Sequence, residues 1–594
     1  MQNRYTIKIA GAAGQGIKSS GIIISKALKR AGYYTFGYTE YPSLIKGGHN
    51  VYQIEVARHN IGSITRDTDV LLALNKESID IHIHEFDKDG GIIIMDNTVP
   101  VSPETQKLVD QYKVKLYQLP LLDLATQGGG SALMKNTVTL GAIWKTLGLD
   151  LELLLNVIAE VFNKGEAIVE ANKKAATAGY NAITEELTGF MDRLTNGAQP
   201  SGQTEENGVV KNSLVISGNE ALSLGAIAAG VKIYSSYPMT PASTILTSLA
   251  NWAKQSGILV KQAEDEITAA NMCIGANFAG TRALCGTSGG GFDLMSESIS
   301  LAGITETPFV VVLGQRHGPA TGAPTWTAQG DLNLALHAAH GEFPRVVISC
   351  SDAEDVFYLM GEAFNIAEKF QLPVVFMTEK YIGESTYTIA GYDQAKIKID
   401  RGEILSQDQL NGTELRYKLT DSGVSPRWYP GQHSELPASK INSTFINNSD
   451  EHDEKGYSTE DDKVIKAQVE KRMKKLESVK AYLPEPKMTG DENPDVIFVS
   501  WGSNITILND AAKILREQGQ KVGILHYTYM WPLKTETLET LRGKEDKVYV
   551  VEQNYQGQLA QLIKRETGIN FTKRILRYDS KPFYLEDILE AVKA

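Results

Sequence analysis

Tyr237-Pro238-Met239-Thr240-Pro241, Glu264-Asp265-Glu266-Ile267-Thr268-Ala269-Ala270, Gly286-Thr287-Ser288-Gly289-Gly290-Gly291 and Arg316-His317-Gly318-Pro319-Ala320-Thr321-Gly322-Ala323-Pro324-Thr325 follow one another between Tyr234 and Leu332. The loops are punctuated by Gly and Pro, and each follows an apolar run. Such runs read as strands of a parallel sheet, and α/β proteins bind ligands at the carboxyl ends of those strands. The surrounding residues are small (Ala269, Ala270, Gly275, Ala276, Ala279, Gly280), as close helix packing requires. Phe309–Leu313, Val346–Ile348 and Val374–Met377 read as further buried parallel strands, so a central α/β domain is expected over 213–390.

Working outward, Asn196 to Gly208 is polar, Gly/Pro-bearing and without apolar periodicity, which marks a linker over 196–212. Ahead of it, 1–195 alternates strands with helices and forms a first α/β unit. Its strand near Tyr5–Ala10 runs into Gly11-Ala12-Ala13-Gly14-Gln15-Gly16 and then a helical pattern from Ser19. That order aims backbone N–H groups at an anion. The spacing is G-x-x-G-x-G, and Glu40 lies beside Pro42, so the loop is open to several readings: a nicotinamide site, a contact with a neighbouring subunit, or a seat for an acyl carrier's phosphates. Beyond the central domain, 391–485 is an irregular insertion ending in a charged helix from Glu460, and its run Asp450-Glu451-His452-Asp453-Glu454 reads as a solvated loop. The remaining 486–594 is a C-terminal α/β domain with strands near Val496, Lys521 and Val548.

At 594 residues the chain exceeds what one core supports, in keeping with three α/β units. A composition of 42% hydrophobic and 22% charged residues is that of an ordinary globular protein. A net charge of −12 argues against non-specific nucleic-acid binding, which needs a positive surface. No run of about 18 apolar residues exists and the N-terminus lacks a signal-peptide pattern, so no membrane span and a cytoplasmic location are expected. Cys273, Cys285 and Cys350 are too few and scattered for a metal or cluster framework and read as small buried hydrophobes.

Tyr237-Pro238-Met239-Thr240-Pro241, Glu264-x-Glu266-Ile267, Arg316-x-Gly318-Pro319-x-Thr321-Gly322-x-Pro324-Thr325 and Gln329-Gly330-Asp331-Leu332 occur together and in order. That combination resembles the α subunits of 2-oxoacid:ferredoxin oxidoreductases, which are thiamine-diphosphate enzymes. The first unit resembles the family's γ subunit, fused ahead of the α part. The last, with Val551-Glu552-Gln553-Asn554-Tyr555-x-Gly557-Gln558, resembles its third fold unit. The resemblance implies a pyrimidine-binding-type central domain and a transketolase C-terminal-like last domain. The chain departs from the family at Met239, His317, Ala320 and Gly290. None of these removes a residue the chemistry requires.

By the same resemblance, Glu266 is the carboxylate that hydrogen-bonds the aminopyrimidine ring and favours its imino tautomer, with Gly275 nine positions on and Glu264 and Asp265 out of register. Tyr237, Pro238 and Ser288 are its other cofactor contacts. Arg316, Thr240 and Thr325 hold the substrate carboxylate. No Gly-Asp-Gly motif for a diphosphate and Mg²⁺ exists, and there are not four cysteines for a [4Fe-4S] cluster. A β subunit is therefore expected to bring diphosphate, Mg²⁺, cluster and the ferredoxin contact, in an (αβ)2 assembly. The implied reaction decarboxylates a 2-oxoacid on thiamine, passes two electrons to the cluster and hands the acyl group to coenzyme A. The long insertion favours 2-oxoglutarate, with His317 or Lys46 as the cation for its second carboxylate; pyruvate, branched-chain or aryl 2-oxoacids are the alternatives. Two readings from other classes remain: an NAD(P)-binding Rossmann oxidoreductase, resting on the Gly11–Gly16 loop, and a non-catalytic docking subunit. The presence of Glu266, Arg316 and both threonines counts against the docking subunit.

Overall fold

The computed structural model describes residues 4–44, 47–87, 90–127, 130–184, 213–410, 412–432 and 445–593. The linker at 196–212 and Lys46 lie outside the described residues. The chain forms two compact units.

One unit combines Met1–Ser217 with Glu384–Gly391 and Phe583–Ala594. Its eight-stranded sheet has the order Lys115–Leu119, Ile92–Asp96, Val70–Ala73, Arg4–Ala12, His49–Ala57, Tyr34–Glu40, Thr386–Ile389 and Leu214–Ser217. Most of its strands are buried on both faces. Tyr5, Ile7 and Ile9 face the helix Ile17–Arg30 and its neighbours, whereas Ala10, Leu71 and Ala73 face a second apolar layer. The strand Arg4–Ala12 pairs antiparallel with His49–Ala57, which pairs antiparallel with Tyr34–Glu40. A dinucleotide fold sets its first two strands side by side in parallel. Here an antiparallel strand lies between them, and the Gly11–Gly16 loop is tied internally by Ala12 N–H donating to Gln15 Oε1 at 2.6 Å.

Leu214–Ser217 and Thr386–Ile389 fall within the residues expected for the central domain, yet they are neighbouring antiparallel strands of this sheet. Phe583, Leu585 and Ile588, expected in the C-terminal domain, are buried in the same unit, where Tyr584 bridges Ile64. Short segments such as these carry no local signal of which distant layer will take them up.

The other unit spans Gly218–Gly383 and Tyr392–Pro582. Its seven-stranded sheet has the order Tyr529–Trp531, Val346–Ser349, Pro373–Glu379, Phe309–Gln315, Ala283–Thr287, Ile233–Ser236 and Leu259–Gln262. All pair in parallel except Tyr529–Trp531, which comes from the C-terminal part and adds an antiparallel edge to Val346–Ser349. The central strands are Val/Leu/Phe-rich and buried on both faces, as helix-covered parallel strands must be. A five-stranded sheet, ordered Met488–Gly490, Val522–Tyr527, Val496–Trp501, Val548–Glu552 and Lys573–Leu576, shares the unit's apolar core. Cys273, Cys285 and Cys350 are buried and unpaired. Among the described residues no helix is long and apolar enough to cross a membrane.

The insertion is held by charge as much as by apolar contact. The helix Asp462–Tyr482 buries Gln468, Lys471, Arg472, Lys475 and Val479, residues three to four apart and therefore on one face. Lys471 and Lys475 both reach the fully buried carboxylate of Glu306, whose φ is 50°. Although burial opposes ionisation there, the two lysines and Arg416 hold the Glu306 carboxyl well below its usual range. Burial pushes Lys475 down to about 7. The acidic run expected to be solvated is docked instead. Glu451 pairs with Arg472, His452 is buried against the Tyr417 ring at 4.1 Å, and Glu454 accepts from Leu419 N–H at 2.9 Å. The cation that draws it in, Arg472, lies 21 residues after Glu451 on the charged helix.

Candidate active site

The motifs singled out in the sequence leave the carboxyl ends of adjacent parallel strands. From Ile233–Ser236 the chain moves outward to Leu259–Gln262, then returns across it to Ala283–Thr287 and on to Phe309–Gln315. This reversal is the topological switch point at which open α/β sheets bind ligands. Tyr237 and Pro238 leave the first strand and are exposed. Thr240 is half-buried, and its carbonyl accepts from Arg316 Nη1 at 2.9 Å, so the first and last loops are tied together. Ser236 Oγ donates to Gly286 O at 2.7 Å and joins the first loop to the glycine cluster.

Glu266 opens the helix Glu266–Phe278. Asp265 is its N-cap and accepts from Thr268 N–H at 2.7 Å, and that bond holds the Asp265 carboxyl below its usual range. Glu264 and Asp265 are exposed, whereas Glu266 is 3% exposed. Capping geometry thus sorts the three acids: one caps, one is solvated, and one turns inward. A Cβ at Gly291 would lie 2.6 Å from Glu266 Oε1, so only glycine lets the short helix Gly289–Leu294 close over this carboxylate.

Glu266 Oε1 nevertheless has no hydrogen-bond partner, and neither have Ser288 Oγ, Gln315 Nε2 and Thr325 Oγ1, all buried. A buried polar atom left unpaired costs about 1–3 kcal/mol, so such an atom in a native structure calls for a partner that a ligand can supply. Arg316 is half-buried and its pKa is lowered by desolvation, partly offset by Asp331. Burial, aided by the nearby Asp293 charge, pushes Asp331 up to about 6. His317 and Asp331 line a cleft of about 590 Å³ together with Gln553, Asn554, Tyr555 and Tyr578. The sequence reading gave Gln315 and Asp331 no role. Their signal was position alone, one residue before Arg316 and inside Gln329-Gly330-Asp331-Leu332.

Comparison with known proteins now bears on this geometry. Residues 224–471 match the pyruvate flavodoxin/ferredoxin oxidoreductase thiamine-diphosphate-binding domain, 6–182 the pyruvate ferredoxin/flavodoxin oxidoreductase domain, and 494–588 core domain II of pyruvate:ferredoxin oxidoreductase. The 2-oxoacid:ferredoxin oxidoreductase subunit alpha of a Sulfolobus species is 31% identical over 99% of this chain and 96% of its own length. The chain belongs to the 2-oxoacid:ferredoxin oxidoreductase α-subunit family. The 2-oxoglutarate synthase subunit KorA of Methanothermobacter thermautotrophicus is 30% identical over 59% of this chain and 90% of its own. The 2-oxoglutarate:ferredoxin oxidoreductase of Magnetococcus marinus, solved with 2-oxoglutarate, coenzyme A and succinyl-CoA bound, superimposes with a TM-score of 0.87 and 30% identity, covering 100% of this chain and 99% of that one.

This α subunit is thus part of an oxidoreductase built on a thiamine-diphosphate-binding domain. The site fits the cofactor's ring: a buried carboxylate with an unpaired oxygen, at a switch point, under a glycine that cannot carry a side chain.

Proposed function

We propose that this chain is the γ-fused α subunit of a coenzyme A-acylating 2-oxoglutarate:ferredoxin oxidoreductase and supplies the ring-binding half of its active site. The observation that carries this reading is the set of unpaired buried atoms Glu266 Oε1, Ser288 Oγ and Gln315 Nε2, at or just past the carboxyl ends of strands of one sheet, with Thr325 Oγ1 in the loop that follows Gln315. Bound there, thiamine diphosphate would supply a nucleophilic carbon that adds to the ketone of the 2-oxoacid and then an electron sink for the pair left behind by CO2.

Glu266 holds the proton-relay position: its free oxygen accepts from the ring and keeps the ring's exocyclic nitrogen in its basic form. Ser288, Tyr237 and Pro238 add contacts from the loops after Ala283–Thr287 and Ile233–Ser236. Arg316 anchors the carboxylate next to the ketone, held in aim by its bond to the Thr240 carbonyl. The Thr240 and Thr325 hydroxyls add neutral donors. His317, on the cleft wall beside Arg316, is the side chain we assign to the second carboxylate of 2-oxoglutarate. The relatives named for 2-oxoglutarate support that substrate.

A partner β subunit brings the diphosphate site, Mg²⁺, the [4Fe-4S] cluster and the ferredoxin contact, in an (αβ)2 assembly in the cytoplasm. Neither a Gly-Asp-Gly motif nor enough cysteines for a cluster exist in this chain. The test is to purify the chain alone and with its β subunit and to assay viologen reduction over a panel of 2-oxoacids. The chain alone should be colourless and inactive, and the complex should prefer 2-oxoglutarate. Turnover by the chain alone contradicts the half-site; preference for pyruvate contradicts the substrate.

A further inference from the structure

Four residues beyond Thr325 and two before Asp331, the segment bearing the proposed substrate contacts passes through Gln329, which is fully buried. Every polar group of this residue is engaged. Its N–H donates to Gln553 O at 2.8 Å and its carbonyl accepts from Asn554 Nδ2 at 3.2 Å. Nε2 donates to Glu379 Oε1 at 2.7 Å and to Trp501 O at 3.1 Å. Oε1 accepts from Asn504 Nδ2 and from Gln553 N–H, both at 2.9 Å. The partners stand at the ends of Pro373–Glu379, Val496–Trp501 and Val548–Glu552, so one side chain fastens the loop to a strand of its own sheet and to two strands of the C-terminal sheet.

Both faces of the amide are specified. Acceptors meet the nitrogen and donors meet the oxygen, which leaves one orientation and excludes a carboxylate. Much of the shell around it is committed as well, although Gln553 Oε1 meets no partner. Ser503 N–H and Ser503 Oγ donate to Glu379 at 2.9 and 2.5 Å, and Gln553 Nε2 donates to Ser503 Oγ at 3.1 Å. Gly502, at φ 62°, passes so close that a Cβ would collide with both Glu379 and the Gln329 amide. Gln329 itself keeps no free polar group for a ligand, so its part in the reaction is indirect.

We infer that Gln329 is the positioning residue by which the C-terminal domain sets the Arg316–Thr325 segment for binding the 2-oxoacid carboxylate. The inference rests on the reading of Arg316 and Thr325 as substrate contacts.

Gln329→Glu tests it in the assembled enzyme. The replacement has nearly the same shape but turns a donor towards Glu379 and Trp501 O into an acceptor. Two carboxylates then face each other, and they share a proton more readily at low pH. The expected result is a rise in KM for 2-oxoglutarate of about tenfold or more at pH 8, shrinking towards pH 6, with thiamine diphosphate affinity unchanged. Wild-type KM measured over the same pH range is the control. Asn504→Ala, which removes one donor from the Gln329 oxygen and leaves the loop intact, should raise KM by a smaller factor and serves if Gln329→Glu fails to fold. Wild-type KM in both variants, or a loss shared equally by kcat and cofactor affinity, overturns the inference. Arg316→Lys and Thr325→Val separate it from its premise. If they leave KM unchanged, the substrate assignment fails; if they raise it and the Gln329 and Asn504 variants do not, only the positioning role fails.

Discussion

Two buried glutamates in the same unit are wired in opposite ways. Glu306 is surrounded by Lys471, Lys475 and Arg416, and its carboxyl is held well below the ordinary range. Glu266 is almost as buried, and one of its oxygens meets nothing. The first carboxylate is a structural tie: it fixes the helix of the insertion to the core, and its cost of burial is offset within the chain. The second carries an uncompensated cost, which is the mark of a group completed by a ligand. Buried acid alone therefore says little; the bookkeeping of its partners separates scaffold from site.

The contrast breaks most sharply under mutation. Glu266→Gln keeps shape and burial but loses the carboxylate, so turnover of the assembled enzyme should fall by about 10²–10⁴-fold with the melting temperature near wild type. Glu264→Gln, at an exposed position two residues earlier, should be close to silent. If the two ranked the other way, the helix register assigned to the site would be wrong.

Glu306→Gln should do the reverse. Removing one partner of a buried ion pair leaves lysines without a counter-charge and costs about 3–5 kcal/mol, read as a lower denaturation midpoint with little change in KM. The pH dependence has a definite sign. A glutamate whose folded pKa lies below its unfolded value near 4.5 adds stability that is full above pH 4.5 and is lost as the pH falls through the folded value. The stability gap between wild type and Glu306→Gln should therefore narrow on acidification below pH 4.5. A gap that widened there would contradict the assigned pairing.

Arg316→Lys sharpens the comparison on the substrate side. A lysine keeps the charge but not the planar pair of donors, nor the bond to the Thr240 carbonyl. A loss of about one to two decades in kcat/KM is expected, with thiamine diphosphate affinity unchanged. Thr325→Val and Thr240→Val should show smaller losses of the same kind, and Thr240→Val should spare the Arg316 bond because that bond uses the backbone. Loss confined to cofactor binding would show that Arg316 has been given the wrong role.

Much of this was legible in the sequence because the information is local. A strand, a Gly- or Pro-bearing loop and a small-residue helix announce themselves within a dozen residues, whereas Glu266 is singled out from its acidic neighbours by the family resemblance, with Gly275 nine positions on. What stayed hidden depends on residues far apart. Thr386–Ile389 and Leu214–Ser217 give no sign that they belong to the first sheet, since strand pairing is decided by distant partners. Lys471 and Lys475 look like solvated charges until Glu306, some 165 residues earlier, is found beneath them. Gln329 reads as an ordinary polar loop residue, although its amide joins three strand ends.

The central claim is that the free oxygen of Glu266 belongs to the cofactor's ring, and the most direct measurement is the rate at which thiamine diphosphate bound in the assembled enzyme exchanges its C2 proton with deuterated solvent. This reading isolates proton relay from substrate binding, electron transfer and coenzyme A. Exchange should be about 10²–10⁴ times slower in Glu266→Gln than in wild type, and unchanged in Glu264→Gln and Arg316→Lys. Wild-type exchange in Glu266→Gln would contradict the account, because its buried oxygen would then be unpaired for some other reason.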